Sequence, residues 1–315
     1  MKIVLLATAF GVATGLGARW ERALTAPVQV EEDAEAALGS QRLKSLPEAF
    51  SATYTFRNFN RDELTIDYRM GKSALAKYEA SFGYYKKELD ALKAWHHGAR
   101  TDPYQSAIKN GQSQDKLDAA FKALQADYDR RINDYLASRG FRRLNSNTIS
   151  VDMPLLVKRN GPLLNELARA FETLATKQNY DSESLIGAAA SMVQTAMVYQ
   201  EPPVIDDDSR RTGGILQPVT ALVRGWGDCD TKTGLLASLL SNWPHMRMVG
   251  VSVPGHYLMG VLRIPNKGDL FVEYEGLQYV LIEPAGPAWL VPGTVARTSV
   301  ALLENQDGYR IDPFF

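Results

Sequence analysis

The octapeptide Gly225-Trp226-Gly227-Asp228-Cys229-Asp230-Thr231-Lys232 carries the one cysteine of the chain. Its two glycines predict a tight turn, and Thr231 to Ser241, with Leu235, Leu236, Leu239 and Leu240 on one side, reads as a helix. Cys229 then falls in the first turn of that helix. Unpaired N–H groups and the helix dipole favour an anion there, and the thiolate is the reactive form of cysteine. The same N–H groups can hold the oxyanion of a tetrahedral intermediate. A cysteine that only filled space would sit mid-helix on the apolar face, not between Asp228 and Asp230. A cysteine nucleophile needs a base, and the base needs a group to orient it. Of the four histidines, His96 and His97 are adjacent at the end of a helical stripe and read as surface residues, and His245 follows Pro244 in a loop. His256 opens a strand after the Pro254-Gly255 break, which holds its side chain rigidly at a sheet edge. Glu283 ends the apolar run Tyr279-Val280-Leu281-Ile282, where a carboxylate calls for a partner. Cys229 to His256 and His256 to Glu283 are each 27 residues apart, room for a helix and strand and then for a hairpin return.

The elements that would position these residues follow from periodicity. Val249, Val251 and Val253 alternate, as do His256, Leu258, Gly260, Leu262 and Ile264; Phe271–Tyr274 and Tyr279–Glu283 are two further strands around a Glu275-Gly276 turn. Upstream, helices are expected over about 162–177 and about 182–199, the latter capped by Asp181. The C-terminal half is therefore α+β, helices followed by an antiparallel sheet. Earlier still, Tyr54 and Phe56, a turn at Asn58–Asp62, and Leu64, Ile66 and Tyr68 predict a β-hairpin. Leu75, Tyr78, Phe82, Tyr85, Leu89 and Leu92, then Leu117, Phe121, Leu124, Tyr128, Ile132 and Tyr135, recur at helical spacing. They predict an antiparallel helical hairpin over 72–139 with a polar connection from Gly98 to Ser113, each arm roughly 25 residues or ~38 Å. It either packs as core or contacts a partner or large substrate. Residues 27–50 are polar and acidic and read as a linker. The loop Asp206-Asp207-Asp208 lacks the alternating ligand spacing of a calcium loop and reads as solvated.

Cysteine at a helix start within Gly-Asp-Cys, then Gly-His on a strand, then an acid on the next strand resembles the transglutaminase-like superfamily, and among its members most closely the bacterial transglutaminase-like cysteine peptidases. The resemblance covers about residues 182–287. It implies a papain/transglutaminase-like core, a Cys229-His256-Glu283 triad, a thioester intermediate and no cofactor. Gln194, on the helix before the cysteine, resembles a side-chain oxyanion donor, and Trp226 either walls the cleft or packs. Tyr257 faces away from His256 and is left out of the site. The chain departs from the bacterial peptidases at two places. Asp230-Thr231 stands where they usually carry Glu-Asp after the cysteine, and Glu283 stands where Asp is common. Some exported members depend on calcium; Thr231 in place of an acid argues against that here, and no metal is expected.

Composition sets the remaining bounds. With 315 residues and 45% hydrophobic content the chain can bury a large core, and a net charge of −1 speaks against nucleic-acid binding. Met1-Lys2 followed by an uncharged run to Ala18 reads as a signal peptide over 1–18, too short for a usual membrane span, although an uncleaved anchor stays open. The expected organisation is thus 1–18 signal, 19–50 linker, 51–145 β-hairpin and helical hairpin, and 146–315 catalytic domain. A lone cysteine in an exported protein marks a reactive thiol. The expected function is a periplasmic or secreted cysteine hydrolase acting on peptide or amide bonds of a cell-envelope substrate. The alternatives are an inactive scaffold of the same fold and a protein cross-linking acyltransferase.

Overall fold

The protein is described by a computed structural model covering residues 19–22, by backbone only, 39–304 and 308–315. The expected signal peptide lies outside the described residues. No helix among the described residues is long and apolar enough to cross a membrane.

The expected linker holds two strands, β1 (Arg19–Arg22) and β2 (Ser40–Ser45). β2 escapes a reading by periodicity because it is an exposed edge strand of sequence SQRLKS, joined to its neighbour through main-chain bonds. That neighbour, β3 (Ala49–Arg57), pairs with β4 (Glu63–Gly71) in the expected hairpin, with Tyr54 opposite Ile66 and Phe56 opposite Leu64. Ala52, Tyr54, Phe56, Leu64, Ile66 and Tyr68 form its buried face, a strict period of two.

The chain continues through α1 (Lys72–Ala80) into α2 (Lys86–Ala99), α3 (Thr101–Asn110), α4 (Gln114–Ser138), β5 (Phe141–Arg143) and β6 (Ile149–Val151). The second arm of the expected helical hairpin is one helix, α4, of 25 residues. The first arm is not. It breaks at Gly83, which takes φ +83° and donates its N–H to the Arg139 carbonyl, while Phe82 packs on Phe141 at 5.3 Å. The supposed polar connection is largely α3, closed by Gly111 at φ +57°. His96 stacks on Tyr128 at 4.3 Å, joining α2 to α4, and His97 is exposed.

Next come α5 (Met153–Asn160), a 3₁₀ turn at Gly161–Leu164, α6 (Asn165–Gln178) and α7 (Ser182–Ser191). Asp181 caps α7 as expected, accepting from the Ser184 N–H at 2.8 Å. That helix ends earlier than residue 199: a π-helical turn spans Met192–Ala196 and the chain is then extended in β7 (Val198–Tyr199). α8 (Pro218–Arg224), β8 (Trp226–Gly227) and α9 (Cys229–Leu240) lead into β9 (Met248–Val253), β10 (His256–Leu262), β11 (Leu270–Tyr274), β12 (Leu277–Ile282), α10 (Arg297–Leu303) and β13 (Arg310–Pro313). α5 and α8, eight and seven residues long, are too short to show a period.

Contacts divide the chain into two compact units. The first comprises the described parts of Met1–Leu75, Met153–Glu201 and Leu216–Phe315, and the second Ala76–Asp152 with Pro202–Ile215. This division cuts across the expected boundaries: the β2–β3–β4 sheet belongs with the C-terminal half, and the Asp206 loop belongs with α2–α4. In that loop Asp206 accepts from the Asp208 and Arg210 N–H groups and from the Arg210 guanidinium.

The first unit is α+β, as expected. Its six-stranded sheet is antiparallel in the order β1-β11-β12-β10-β9-β13. Val249, Val251, Leu258, Val272, Tyr279 and Leu281 form its buried core. The β11–β12 turn is a two-residue loop, Glu275-Gly276, with φ of +52° and +76°, the geometry that matches strand twist. α9 is buried on nearly every side, as a helix at the centre of a core must be.

Candidate active site

Local chemistry places Cys229. Gly225 ends α8 in the left-handed region at φ +74°, with its N–H on the Ala221 carbonyl. Trp226 and Gly227 form β8, paired in parallel with β7. A Cβ on Gly227 would lie 2.3 Å from Cγ2 of Thr231, so this position requires glycine. Asp228 is the N-cap of α9: its carboxylate accepts from the Thr231 N–H at 3.0 Å. Thr231 is spent structurally, its hydroxyl accepting from the Leu216 N–H at 3.0 Å. Cys229 is thus the first helical residue, 7% exposed. Its N–H and that of Asp230 have no acceptor one turn back, as at any helix start.

His256 opens β10 after the Pro254-Gly255 turn, with Gly255 at φ +72°. Met259 pairs with Ile282, and one further step in that register sets Glu283 across from Leu258. Glu283 is then the diagonal neighbour of His256 on one face of the sheet. The imidazole Nε2 lies 2.7 Å from Glu283 Oε1. Since a carboxylate only accepts, Nε2 carries a hydrogen, which leaves Nδ1 for Cys229. The thiol lies near enough to the imidazole to favour its charged form, and its Sγ is 4.0 Å from Asp230 Oδ1. Burial disfavours the imidazolium, but hydrogen bonds from the ring to Cys229 and Glu283, and the charges of both, outweigh it and hold the His256 pKa up at about 10. The structure therefore brings all three sequence-predicted residues together.

Three buried groups brace this arrangement. Lys232, one turn after Cys229, is wholly buried and donates to the Met197 carbonyl at 2.8 Å and the Ala285 carbonyl at 2.6 Å. Burial pushes its pKa down to about 7. The Thr233 hydroxyl donates to the Tyr257 carbonyl at 3.1 Å, locking α9 to the start of β10. Ser299, on α10, donates to Glu283 Oε2 at 2.6 Å and is 2% exposed. Near the thiol, burial and the Asp228 charge raise the Asp230 carboxyl to about 6, against the pull of His256.

Gln194 is placed differently from expectation. Its side-chain amide donates to the Glu283 carbonyl at 2.8 Å and the Leu290 carbonyl at 2.9 Å, and its oxygen accepts from the Leu290 N–H at 2.9 Å. Both amide hydrogens are spent on main chain, so Gln194 clamps the segment after β12 and offers no oxyanion donor; the first-turn N–H groups of α9 remain for that role. Truncating Gln194 to alanine orphans three main-chain groups, and unfolding free energy should fall by about 3 kcal/mol in a denaturant titration. A Gln194→Ala protein of wild-type stability whose kcat has fallen about 10²–10³-fold would restore the oxyanion role.

Trp226 lies half-buried on β8, three residues before the thiol. Tyr257 faces away from the site, its hydroxyl on Asp312 at 3.0 Å. His245 is exposed, at φ +65°. Ser299 and the bracing role of Lys232 were missed. Lys232 stood inside the cysteine motif, and a lysine in so apolar a helix was the available signal; Ser299 offered none. Removing the Ser299 hydroxyl leaves Glu283 held from one side only. We expect Ser299→Ala to lower kcat by about 10–100-fold with an earlier alkaline fall in the pH–rate profile, and Ser299→Thr to recover most of it. An unchanged profile in the alanine variant would reduce Ser299 to packing.

Comparison with protein-family models, with curated proteins and with solved structures yields no match.

Proposed function

We propose that the chain is an exported, transglutaminase-like cysteine hydrolase that cleaves peptide or amide bonds. The observation that carries the reading is the Cys229–His256–Glu283 constellation: a thiol at a helix N-terminus, an imidazole whose charged form that thiol favours, and a buried carboxylate 2.7 Å from the imidazole Nε2. The papain/transglutaminase-like core is part of this proposal. It is supported by the helix-then-antiparallel-sheet order with the thiol at the start of the buried helix. Export is supported by the residue pattern of 1–18 alone.

In the proposed cycle the Cys229 thiolate attacks the carbonyl carbon, forming the C–S bond and sending the carbonyl electron pair to oxygen. The N–H groups of Cys229 and Asp230 receive that oxyanion. His256 Nδ1 gives its proton to the departing nitrogen as the C–N bond breaks. A water then loses a proton to His256 and attacks the thioester, and the thiolate leaves the acid product. Glu283 fixes the ring and stabilises the imidazolium throughout.

A protein partner or large substrate for the helical unit belongs to the same proposal. Its support is the exposure of Tyr104 and Ile108, four residues apart on α3. A quenched-peptide library incubated with a labelled amine distinguishes hydrolysis from cross-linking. We expect peptide release by the wild type, none by Cys229→Ala, and little amine incorporation. Equal signals from both proteins would refute the enzyme reading.

A further inference from the structure

A cavity of about 360 Å³ opens against the imidazole side of the site. Its wall includes His256 and Glu283, together with Ala285, Ala288, Ala296 and Leu302. Cys229 is not part of that wall. The volume lies at the low end of the ~300–1,000 Å³ usual for ligand sites.

The position of the cavity decides which part of a substrate it can take. The acyl group becomes bonded to Cys229, and the nitrogen that leaves must meet the imidazole to collect its proton. A space bounded by His256 and Glu283 and not by the thiol lies past the imidazole, where a substituent on that nitrogen would extend. By microscopic reversibility, an amine that attacks the thioester arrives through the same space. The lining decides what enters. Both oxygens of Glu283 already accept, one from His256 and one from Ser299, which makes the carboxylate a weaker acceptor for a guest. What remains is alanine methyls, the Leu302 side chain, glycine and proline backbone at Gly255, Gly286 and Pro287, and Thr298, which is exposed at the rim. Such a wall rewards a compact apolar group, and the Glu283 carboxylate in it disfavours an acidic one.

We propose that this cavity is the amine-side specificity pocket, selecting a compact apolar side chain such as leucine on the residue that follows the cleaved bond. Ala288 and Ala296 set its depth: both are half-buried, and neither has a positive φ, so a larger side chain there would fill the cavity. The proposal rests on the cysteine-hydrolase reading, and its test keeps the two apart.

The full-length protein is charged with the thiophenyl ester of N-acetylglycine. Thiophenolate leaves as the acyl carbon bonds to Sγ of Cys229, and intact mass shows the adduct. The acyl-enzyme is then divided between water and an added amine: glycinamide, leucinamide or the α-amide of glutamic acid. In aminolysis the amine nitrogen bonds to the acyl carbon, its proton passes to His256, and the Cys229 thiolate departs. Leucinamide should be captured over glycinamide by roughly 10–200-fold, the scale on which an apolar pocket discriminates, and the glutamate amide should be captured least. Ala288→Leu and Ala296→Leu should abolish the leucine preference, and a thermal midpoint close to that of the wild type shows that the variants are folded. An acyl-enzyme that takes all three amines equally, or that keeps its leucine preference in both variants, would overturn the pocket and leave the hydrolase reading standing. Absence of any adduct on Cys229 would overturn both.

Discussion

Removing the thiol should abolish turnover while leaving the fold in place. Cys229→Ala deletes one small side chain from the start of α9; the cap on Thr231, the Lys232 bonds and the Thr233 bond to β10 all remain. Stability should change by less than about 1.5 kcal/mol, while kcat falls by as much as ~10⁶, the loss found when one member of a tightly coupled triad is deleted. His256→Ala should cost nearly as much in rate, and the double variant should be no slower than either single one, because thiol and base act as one unit. The histidine variant differs in stability. It leaves Glu283, 3% exposed, with Ser299 as its remaining side-chain donor, and an under-satisfied buried acceptor costs about 1–3 kcal/mol. Additive losses in the double variant, read from initial rates on one peptide, would mean that the two residues act separately.

Glu283→Gln separates orientation from folding. The amide oxygen can still accept from His256 Nε2, and the amide NH₂ can donate to the Ser299 oxygen once that hydroxyl turns. The fold should hold, with a small shift in midpoint. The rate should fall by about 10⁴, because a neutral amide does not stabilise the imidazolium that forms during attack. The pH profile carries the same information with a definite sign. The imidazolium must supply the proton for the leaving nitrogen, and it persists below its pKa of about 10. Wild-type activity should therefore stay level through neutral pH and decline as pH rises through about 10. Loss of the Glu283 charge lowers that pKa, so the alkaline fall of the glutamine variant should move toward neutrality. A Glu283→Gln protein with full activity and an unmoved alkaline limb would remove Glu283 from the triad.

How much of this was legible follows from the range over which each feature is encoded. Cys229 could be placed because two glycines, an N-cap aspartate and a leucine-rich helix all lie within a short stretch. His256 could be placed because it opens a strand with a clear alternation, and Glu283 because it is a carboxylate that closes an apolar run. The antiparallel strands of the C-terminal half were readable for the same reason. The linker reading failed at β2 because an edge strand with both faces solvated has no apolar alternation to read. The first helical arm failed because Phe82 and Tyr85 stay in step with the stripe although the chain turns at Gly83 between them. Gln194 was misassigned, and Ser299 overlooked, because their roles depend on partners 89, 96 and 16 residues away, contacts that only the packed fold creates.

In the proposed mechanism Cys229 and His256 share a proton as a thiolate–imidazolium pair. The rate at which iodoacetamide alkylates Cys229, followed by intact mass from acid to alkaline pH in the wild type and in His256→Ala, tests it most directly. We expect fast, stoichiometric modification of the wild-type thiol that persists below neutral pH. In His256→Ala the rate should be slow at neutral pH and climb only as the pH approaches the ordinary thiol value of about 8.5. A wild-type thiol that is inert below neutrality, with the same pH dependence in the histidine variant, would contradict it.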